Sequence, residues 1–260
     1  MRKAIFITVR SDSSRLPNKA LLKILGRPTI ELIISRAKQV KGVDDIVLCT
    51  TERSVDDSIV DIAVKNGIKY FRGDLEDKLM RWLGACKKYN VDFFVTMDGD
   101  DLLCDPFLIE LAIKQMQVNE VDFIEAPKGL ICGSFTYCIK FSALEHVCKI
   151  KDTNDTEMMW VYFKDTNLFK VEELKVEDNV FFDKNIRLTL DYVEDFEFFK
   201  KIFEHYNAFN NEVPLKDIVG YLHENSSIIQ INSFRQQDYL NNQKRKTKLI
   251  LKEHRNCVID

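Results

Sequence analysis

The sequence predicts an α/β fold: a mostly parallel, Rossmann-like sheet in a three-layer sandwich, with a small mixed β insertion. Residues 4–9 and 91–97 are apolar runs rich in β-branched and aromatic side chains, as in strands buried on both faces. Strand-like runs alternate with amphipathic helical patterns up to residue 126, which indicates right-handed parallel crossovers. With 260 residues, the chain is long enough to bury one sizeable core.

Each helix predicted before residue 126 has one apolar face and lies between two strands. We expect Ser54 to cap the second helix and Gly67 to end it. Its expected core face consists of Val55, Ile59, Ile62 and Ala63. The predicted strands cover 4–9, 45–50, 68–71, 91–97 and 123–126, and the predicted helices cover 29–40, 54–66, 77–89 and 106–118.

The alternation becomes irregular after Pro127. One apolar run in this part stops at an acid, Asp191, and is interpreted as a strand. The predicted strands here cover 134–141, 169–174 and 186–191, and the predicted helices cover 142–148, 193–206 and 215–224.

We expect a single domain over residues 1–235, with an insertion at about 129–183, followed by a polar tail over 236–260. The tail is basic at 244–248, and we interpret it as solvated or packed against another subunit. The net charge of −3 argues against nucleic acid as a partner, since nucleic-acid binding favours a basic face.

The sequence gives no sign of a membrane segment. No apolar run approaches the length of a bilayer span, and no signal peptide opens the chain, so we expect a cytoplasmic protein without a membrane partner. Seven scattered cysteines without CxxC spacing fit this location and argue against a zinc site.

The loop after the first strand is rich in cations and hydroxyl groups. Open α/β sheets bind ligands at the carboxyl ends of their strands, where this loop starts. Cations, hydroxyls and backbone N–H groups together suit a polyphosphate, although a solvated loop is the alternative. Neither a P-loop nor a GxGxxG motif is present. The side chains concerned are Arg10, Ser11, Ser13, Ser14, Arg15 and Lys19.

Two predicted strands end in acids that could hold a metal. Asp98-Gly99-Asp100-Asp101 follows the strand over 91–97, and Asp191 ends the strand over 186–191. Magnesium prefers carboxylates together with phosphate oxygens and water. Gly99 lets the backbone approach a ligand closely. For Asp191 alone, a helix-capping role is the alternative.

Three segments carry a resemblance to a known family. Residues 10–19 read RSDSSRLPNK, followed by Gly26-Arg27-Pro28, and resemble the R-x-x-S-x-R-L-P-x-K…G-x-P opening of cytidylyltransferases for 3-deoxy-manno-octulosonate and acylneuraminates. The likeness is closest to the spore-coat-polysaccharide type. Residues 97–106 resemble the family's x-G-D-x-P-L-x-D-P, and 187–195 resemble its R-L-T-V-D-x-P-E-D. The sequence departs from the family pattern at Asn18, Asp98, Leu102 and Val193.

The resemblance implies a fold of the nucleotide-diphosphosugar transferase type, a homodimer and a role for each matched residue. Arg10, Arg15, Lys19 and Asp100 would be catalytic. Asp100 and Asp191 would hold Mg²⁺, or Mn²⁺, while Glu157 and Arg187 would contact the acceptor. Asp77 and Arg81 would lie near the base, although a surface bridge on one helix is an equal alternative. The expected nucleotide-binding set is Val9, Arg10, Ser11, Ser13, Ser14, Arg15, Lys19, Thr50, Asp77, Arg81, Asp98 and Gly99.

The expected activity is transfer of CMP from CTP to a sugar acid or a phosphorylated acceptor, with release of pyrophosphate, in the synthesis of surface-polysaccharide or glycoconjugate precursors. One alternative is a glycosyltransferase that uses Asp98-Gly99-Asp100 as a D-x-D metal motif. Another is a nucleotidyltransferase that uses a different nucleoside triphosphate. A third is a non-catalytic scaffold, which predicts a broken pair of metal-binding acids.

Overall fold

The fold is organised around a mixed sheet of seven strands, seen in a computed structural model that describes residues 1–13, 15–207 and 213–252. The strands are β1 (Lys3–Thr8), β2 (Lys23–Ile24), β3 (Arg27–Pro28), β4 (Asp45–Thr51), β5 (Lys69–Gly73), β6 (Phe93–Asp98), β7 (Phe123–Glu125), β8 (Tyr137–Lys140) and β9 (Val171–Glu173). The order across the sheet is β5-β4-β1-β6-β8-β7-β9, and β2 and β3 form a separate small hairpin.

The helices flank the sheet or follow it in the chain. They are α1 (Thr29–Gln39), α2 (Asp57–Lys65), α3 (Lys78–Tyr89), α4 (Pro106–Val118), α5 (Phe141–Ile150), α6 (Val161–Lys164), α7 (Val193–Tyr206), α8 (Leu215–Glu224), α9 (Ser226–Ile229) and α10 (Gln236–Lys246). Short 3₁₀ turns cover Lys19–Leu21, Ser54–Asp56, Asn179–Phe181 and Ser233–Arg235. None of the helices within the described ranges is long and apolar enough to cross a membrane.

The central strands confirm the predicted parallel sheet. β1 pairs in parallel with β4 and β6, and β4 pairs in parallel with β5. β8 runs antiparallel between β6 and β7, and β9 is parallel to β7. The residues predicted as an insertion therefore extend the same sheet at one edge.

Apolar side chains fill both faces of this sheet. Ile5 and Ile7 of β1 belong to the core cluster that includes residues of α1, α4, α7 and α8. Ala4 and Phe6 belong to the second cluster, with residues of α3, α5 and α6. Because neighbouring strand residues point to opposite faces, β1 separates the two cores, as the predicted three-layer sandwich requires.

Three predicted helices have the predicted bounds, 106–118, 193–206 and 215–224, while the second helix starts later than expected. Residues 54–56 form a 3₁₀ turn in which the Asp56 carboxylate points inward and accepts hydrogen bonds from Ser11 N and Thr51 Oγ1. Val55 is thereby turned outward and is 45% exposed, so its assignment to the core was wrong.

Residues 186–191 were predicted as a strand, but they are an extended segment with only an isolated bridge between Arg187 and Cys132. Leu188 N donates to Cys132 O, and Leu190 N donates to Asp100 O, each at 2.8 Å. The segment runs beside the turn after β6, and this position brings Asp191 to Asp100.

Candidate active site

A cavity of about 470 Å³ opens at the carboxyl ends of β1 and β6. The loop after β1, the turn after β6, Asp191 and one face of α10 line it. Its position agrees with the rule that open α/β sheets bind ligands beyond the carboxyl ends of their strands.

The loop after β1 is fixed to the protein at both ends. Ser11 N donates to Asp56 Oδ1 at 2.7 Å, and Ser11 Oγ donates to Val55 O at 3.0 Å. Further on, Thr29 Oγ1 donates to Lys19 O at 2.6 Å. The buried Ser11 thus anchors the loop and does not line the cavity, whereas the remaining described candidates of this loop do. Those lining residues are Val9, Arg10, Ser13, Arg15 and Lys19, and Ser14 lies outside the described residues.

Asn18 occupies the position where the family pattern usually has glycine. Its φ of 54° lies in the left-handed region, and Leu21 N donates to its carbonyl at 2.8 Å. Asparagine is among the residues that tolerate this conformation best after glycine. The departure at Asn18 is therefore compatible with the turn that sets the direction of Lys19.

Lys19 joins the two predicted metal-binding acids. Its Nζ lies 2.6 Å from Asp100 Oδ2 and 2.9 Å from Asp191 Oδ1. Arg15 Nη2 lies 2.5 Å from the same Asp191 oxygen. Residues from three distant parts of the sequence thus meet in one charge cluster at the cavity wall.

Opposing effects set the charges of this cluster. Burial disfavours the Asp191 carboxylate, but Lys19 and Arg15 outweigh it and lower the pKa of Asp191 to about 2. Burial, with Asp191 and Asp98 nearby, raises the pKa of Asp100 despite Lys19. Burial likewise raises the pKa of Asp101 well above its ordinary value, reinforced by Asp100 and Asp98. Burial thus disfavours ionisation of Asp100 and Asp101, whereas the two neighbouring cations hold Asp191 in its charged form.

The pair Asp100 and Asp191 fits a divalent cation. Asp191 Oδ2 is buried without a hydrogen-bond partner, and Arg187 Nη2 lies 3.6 Å from it. Within the described part of the chain, no three His, Cys, Asp or Glu side chains form a closed metal cluster. Two carboxylates with an orphaned oxygen suit Mg²⁺, which completes its shell with phosphate oxygens and water.

Asp195 and Arg187 hold Asp191 from behind. The Asp195 carboxylate accepts from the backbone N–H groups of Asp191 and Tyr192, each at 2.8 Å. Arg187 binds it through both terminal nitrogens, and Asn232 Nδ2 donates to it at 3.0 Å. Arg187 is 1% exposed and does not line the cavity. The structure therefore places Arg187 behind Asp191 and outside the cavity lining, which does not support the predicted contact of Arg187 with the acceptor.

Asp77 and Arg81 do not form a surface bridge. Asp77 is buried outside the cavity lining, where it accepts from Met80 N and Thr156 Oγ1 and pairs with Lys151. Arg81 does line the cavity, with its Nη1 donating to Asp74 O at 2.5 Å. Burial lowers the pKa of Arg81. Of these two residues, only Arg81 lines the cavity, where a nucleotide could contact it.

Thr50 belongs to the predicted nucleotide-binding set. It is fully buried in β4 and does not line the cavity. It therefore has no surface to offer a ligand in this structure.

The turn after β6 has an unpredicted cation beside it. Lys78 Nζ lies 2.8 Å from Asp98 Oδ1 and 4.9 Å from the centre of the Trp82 ring. A Cβ at Gly99 would lie 2.7 Å from Val9 Cβ, so only glycine fits there. A carboxylate in a partly buried turn needs a counter-ion nearby. Asp98 was therefore the sequence feature from which a nearby cation such as Lys78 could have been expected.

Glu157 reaches the cavity but already has two cationic partners. Lys246 Nζ lies 2.9 Å from Glu157 Oε2, and Arg10 Nη2 lies 3.8 Å from it. Lys246 belongs to α10, in the region predicted as a solvated or subunit-packed tail. The polar composition of residues 236–246 gave no sign that this helix would cover the cavity.

Comparisons with known proteins agree with the fold described above. The sequence matches the cytidylyltransferase family over residues 4–245, which passes the predicted domain end at 235. It is 34% identical to an uncharacterized protein of Methanocaldococcus jannaschii, over 90% of this chain and 96% of that protein. It is 24% identical to the spore coat polysaccharide biosynthesis protein SpsF of Bacillus subtilis, over 84% and 93% of the two chains. The structure resembles that of a cytidylyltransferase from Leptospira borgpetersenii, with a TM-score of 0.80, 29% identity and coverage of 88% and 97%.

Proposed function

The chain belongs to the cytidylyltransferase family, and from that premise we propose that it transfers CMP from CTP to a sugar acid or a phosphorylated acceptor, with release of pyrophosphate. The observation that carries this proposal is the contact of Lys19 with both Asp100 and Asp191, with Arg15 on the same Asp191 oxygen. Cations for a triphosphate and acids for its metal thus lie side by side.

The proposed step is a displacement at the α-phosphorus. An acceptor oxygen forms a bond to this phosphorus, and the bond to the bridging oxygen of the β-phosphate breaks. The proton of an attacking hydroxyl goes to solvent, and pyrophosphate leaves with the bond electrons. No side-chain nucleophile is required, because positioning and charge stabilisation supply the rate.

Each charged group has a defined task in this step. Arg10, Arg15 and Lys19 bind phosphate oxygens and neutralise the charge that develops on pyrophosphate. Asp100 and Asp191 would hold Mg²⁺, which polarises the α-phosphate when bound. Lys19 is protonated in the ligand-free protein, because the two acids outweigh burial and raise its pKa.

The same contacts argue against the alternatives. A D-x-D glycosyltransferase motif needs Asp98 and Asp100 to act on one metal, but Asp98 lies at Lys78, whereas Asp100 shares Lys19 with Asp191. A scaffold predicts a broken acid pair, whereas Asp100 and Asp191 meet at one ammonium group. The choice of CTP over other triphosphates rests on family membership.

A pyrophosphate-release assay tests the proposal. CTP, GTP, UTP and ATP are each tried with Mg²⁺ and with 3-deoxy-manno-octulosonate, N-acetylneuraminate and sugar phosphates as acceptors. We expect release that depends on CTP and on an acceptor. Consumption of a sugar nucleotide without release from any triphosphate would establish the glycosyltransferase alternative instead.

A further inference from the structure

A lysine of the chain itself bridges the two acids that are proposed to hold the metal. The ammonium of Lys19 lies 2.6 Å from Asp100 Oδ2 and 2.9 Å from Asp191 Oδ1. The side chains of Lys19 and Asp100 are 13% and 22% exposed, and both line the cavity, so a ligand can reach this bridge. In the ligand-free protein, a cation with one charge thus holds the acids that suit a cation with two.

The bridge and a metal need the same carboxylate oxygens. Asp191 Oδ2 is buried beside Arg187 Nη2, so an ion that enters from the cavity first meets Asp191 Oδ1, which Lys19 contacts. Mg²⁺ binds carboxylate oxygens at about 2.1 Å, and two cations that share such oxygens repel each other. We therefore expect Lys19 to leave the acids when a divalent cation binds them.

The two cations on Asp191 differ in their freedom to move. Arg15 Nη2 lies 2.5 Å from Asp191 Oδ1, and the guanidinium carbon lies 5.8 Å from the centre of the Tyr192 ring. The backbone of Lys19 is fixed, because Thr29 Oγ1 donates to its carbonyl at 2.6 Å, but its side chain is a flexible stem with a compact charge. Lys19 can thus carry its charge to a new partner while the loop stays in place.

We propose that Lys19 takes the place of the metal in the ligand-free protein and changes partners when the nucleotide binds. The ammonium moves from the two carboxylates to a phosphate oxygen, which leaves Asp100 and Asp191 available to the metal that accompanies the triphosphate. The bridge keeps the acids neutralised between turnovers and makes the binding of metal and nucleotide interdependent. This inference rests on the proposed function, because it takes the acids as the metal pair and the loop after β1 as the triphosphate site.

Lys78 offers a matched control for the test. Its side chain is also 13% exposed, and its Nζ lies 2.8 Å from Asp98, which is outside the proposed metal pair. The variants are Lys19→Met and Lys78→Met, each of which removes one positive charge beside a carboxylate. Electron paramagnetic resonance measures the affinity of wild type and both variants for Mn²⁺, first without nucleotide and then with CTP.

The exchange predicts opposite effects of Lys19→Met in the two conditions. Without nucleotide, this variant should bind Mn²⁺ at least about tenfold more tightly than wild type, because no ammonium competes for the two carboxylates. Lys78→Met should stay within about twofold of wild type. The factor by which CTP tightens Mn²⁺ binding should be at least about threefold smaller in Lys19→Met than in wild type, because the competition that CTP relieves is already absent.

A second variant covers the case in which Lys19→Met does not fold. Lys19→Gln also removes the charge but keeps an N–H donor for the acids, and it should show the same gain without nucleotide. Nucleotide-free affinity for Mn²⁺ that is no higher in the Lys19 variant than in Lys78→Met would overturn the exchange and leave the proposed function intact. Wild type that binds Mn²⁺ no more tightly with CTP than without it would refute the proposed function, and the exchange with it.

Discussion

The two halves of the cavity differ in the side chains that line them. The charged half, formed by residues 9–19, 98–101 and Asp191, has ion pairs of 2.5 to 2.9 Å around one carboxylate. The mixed half, formed by residues 125–137, 157–160 and 236–246, combines amide, apolar and aromatic side chains with one ion pair, between Glu157 and Lys246. On the proposed function, the charged half serves the transfer step that every acceptor must undergo, whereas the mixed half is where one acceptor can be distinguished from another.

The largest effect should come from the charged half. We expect Asp100→Asn and Lys19→Ala each to lower turnover at least about 100-fold, because each removes charge stabilisation of the transition state. Steady-state pyrophosphate release measures the loss, with Asp61→Asn and Lys23→Ala at exposed sites as controls. The loss should be the same for every acceptor. A loss that differs strongly between acceptors would show that the charged half also discriminates among acceptors.

Arg187→Lys tests the support behind Asp191. Lysine cannot form the two-pronged contact with Asp195, so the loop that carries Asp191 should loosen. We expect metal affinity or turnover to fall by about 10- to 100-fold, as for other groups that orient a metal ligand. The control is Arg235→Lys at a half-exposed pair with Glu194, where the change should be small. A drop confined to acceptor KM would return Arg187 to the acceptor-binding role.

Glu157→Gln tests a residue that contacts both halves, through Arg10 in the charged half and Lys246 in the other. Glu157 lines the cavity, and despite burial its pKa is lowered by Lys246 and Arg10. We expect acceptor KM to rise by about three- to tenfold and the KM for CTP to stay within about twofold. Initial rates at varied acceptor and varied CTP separate the two constants. A rise in the KM for CTP alone would move Glu157 to the nucleotide side.

Asp101→Asn should stabilise the ligand-free protein. The raised pKa of Asp101 means that the folded state binds more protons than the unfolded state above the ordinary pKa, so this carboxyl costs stability as pH rises. The gain in the variant should be present near neutral pH and should vanish as pH falls toward about 4, where the carboxyl is protonated in both the folded and the unfolded state. Urea unfolding at several pH values measures it. A gain that is equal at all pH values would show that ionisation is not its cause.

The smallest effect is expected for Asn18→Gly. Because Asn18 already has a φ of 54°, glycine should keep the turn and the direction of Lys19. Turnover should stay within about twofold, and stability within about 1 kcal/mol. Asn18→Val, which cannot adopt this φ without strain, is the contrasting variant and should lower both. Equal behaviour of the two variants would mean that the turn does not position Lys19.

The features that the sequence could predict are those that depend on local patterns. Periodicity located α4, α7 and α8, the basic loop after the first strand pointed to Lys19, and acids at strand ends pointed to Asp100 and Asp191. These signals are local or are tied to strand ends, where α/β folds bring them together.

The remaining features depend on packing between distant segments. The run over 186–191 has strand composition but is bonded to the loops at Asp100 and Cys132. The sequence analysis did not assign a role to Lys78, and its contact with Asp98 was found only in the structure. Residues 236–246 have no apolar stripe, so their pattern could not show that they cover a cavity.

The most direct test of the central claim is the binding of Mn²⁺ measured by electron paramagnetic resonance, with and without CTP. If Asp100 and Asp191 share one metal beside the cations of the first loop, wild type with CTP should bind Mn²⁺ at least about tenfold more tightly than either the protein or CTP alone. Asp191→Asn should abolish this enhancement. An undiminished enhancement in the Asp191→Asn variant would contradict the account.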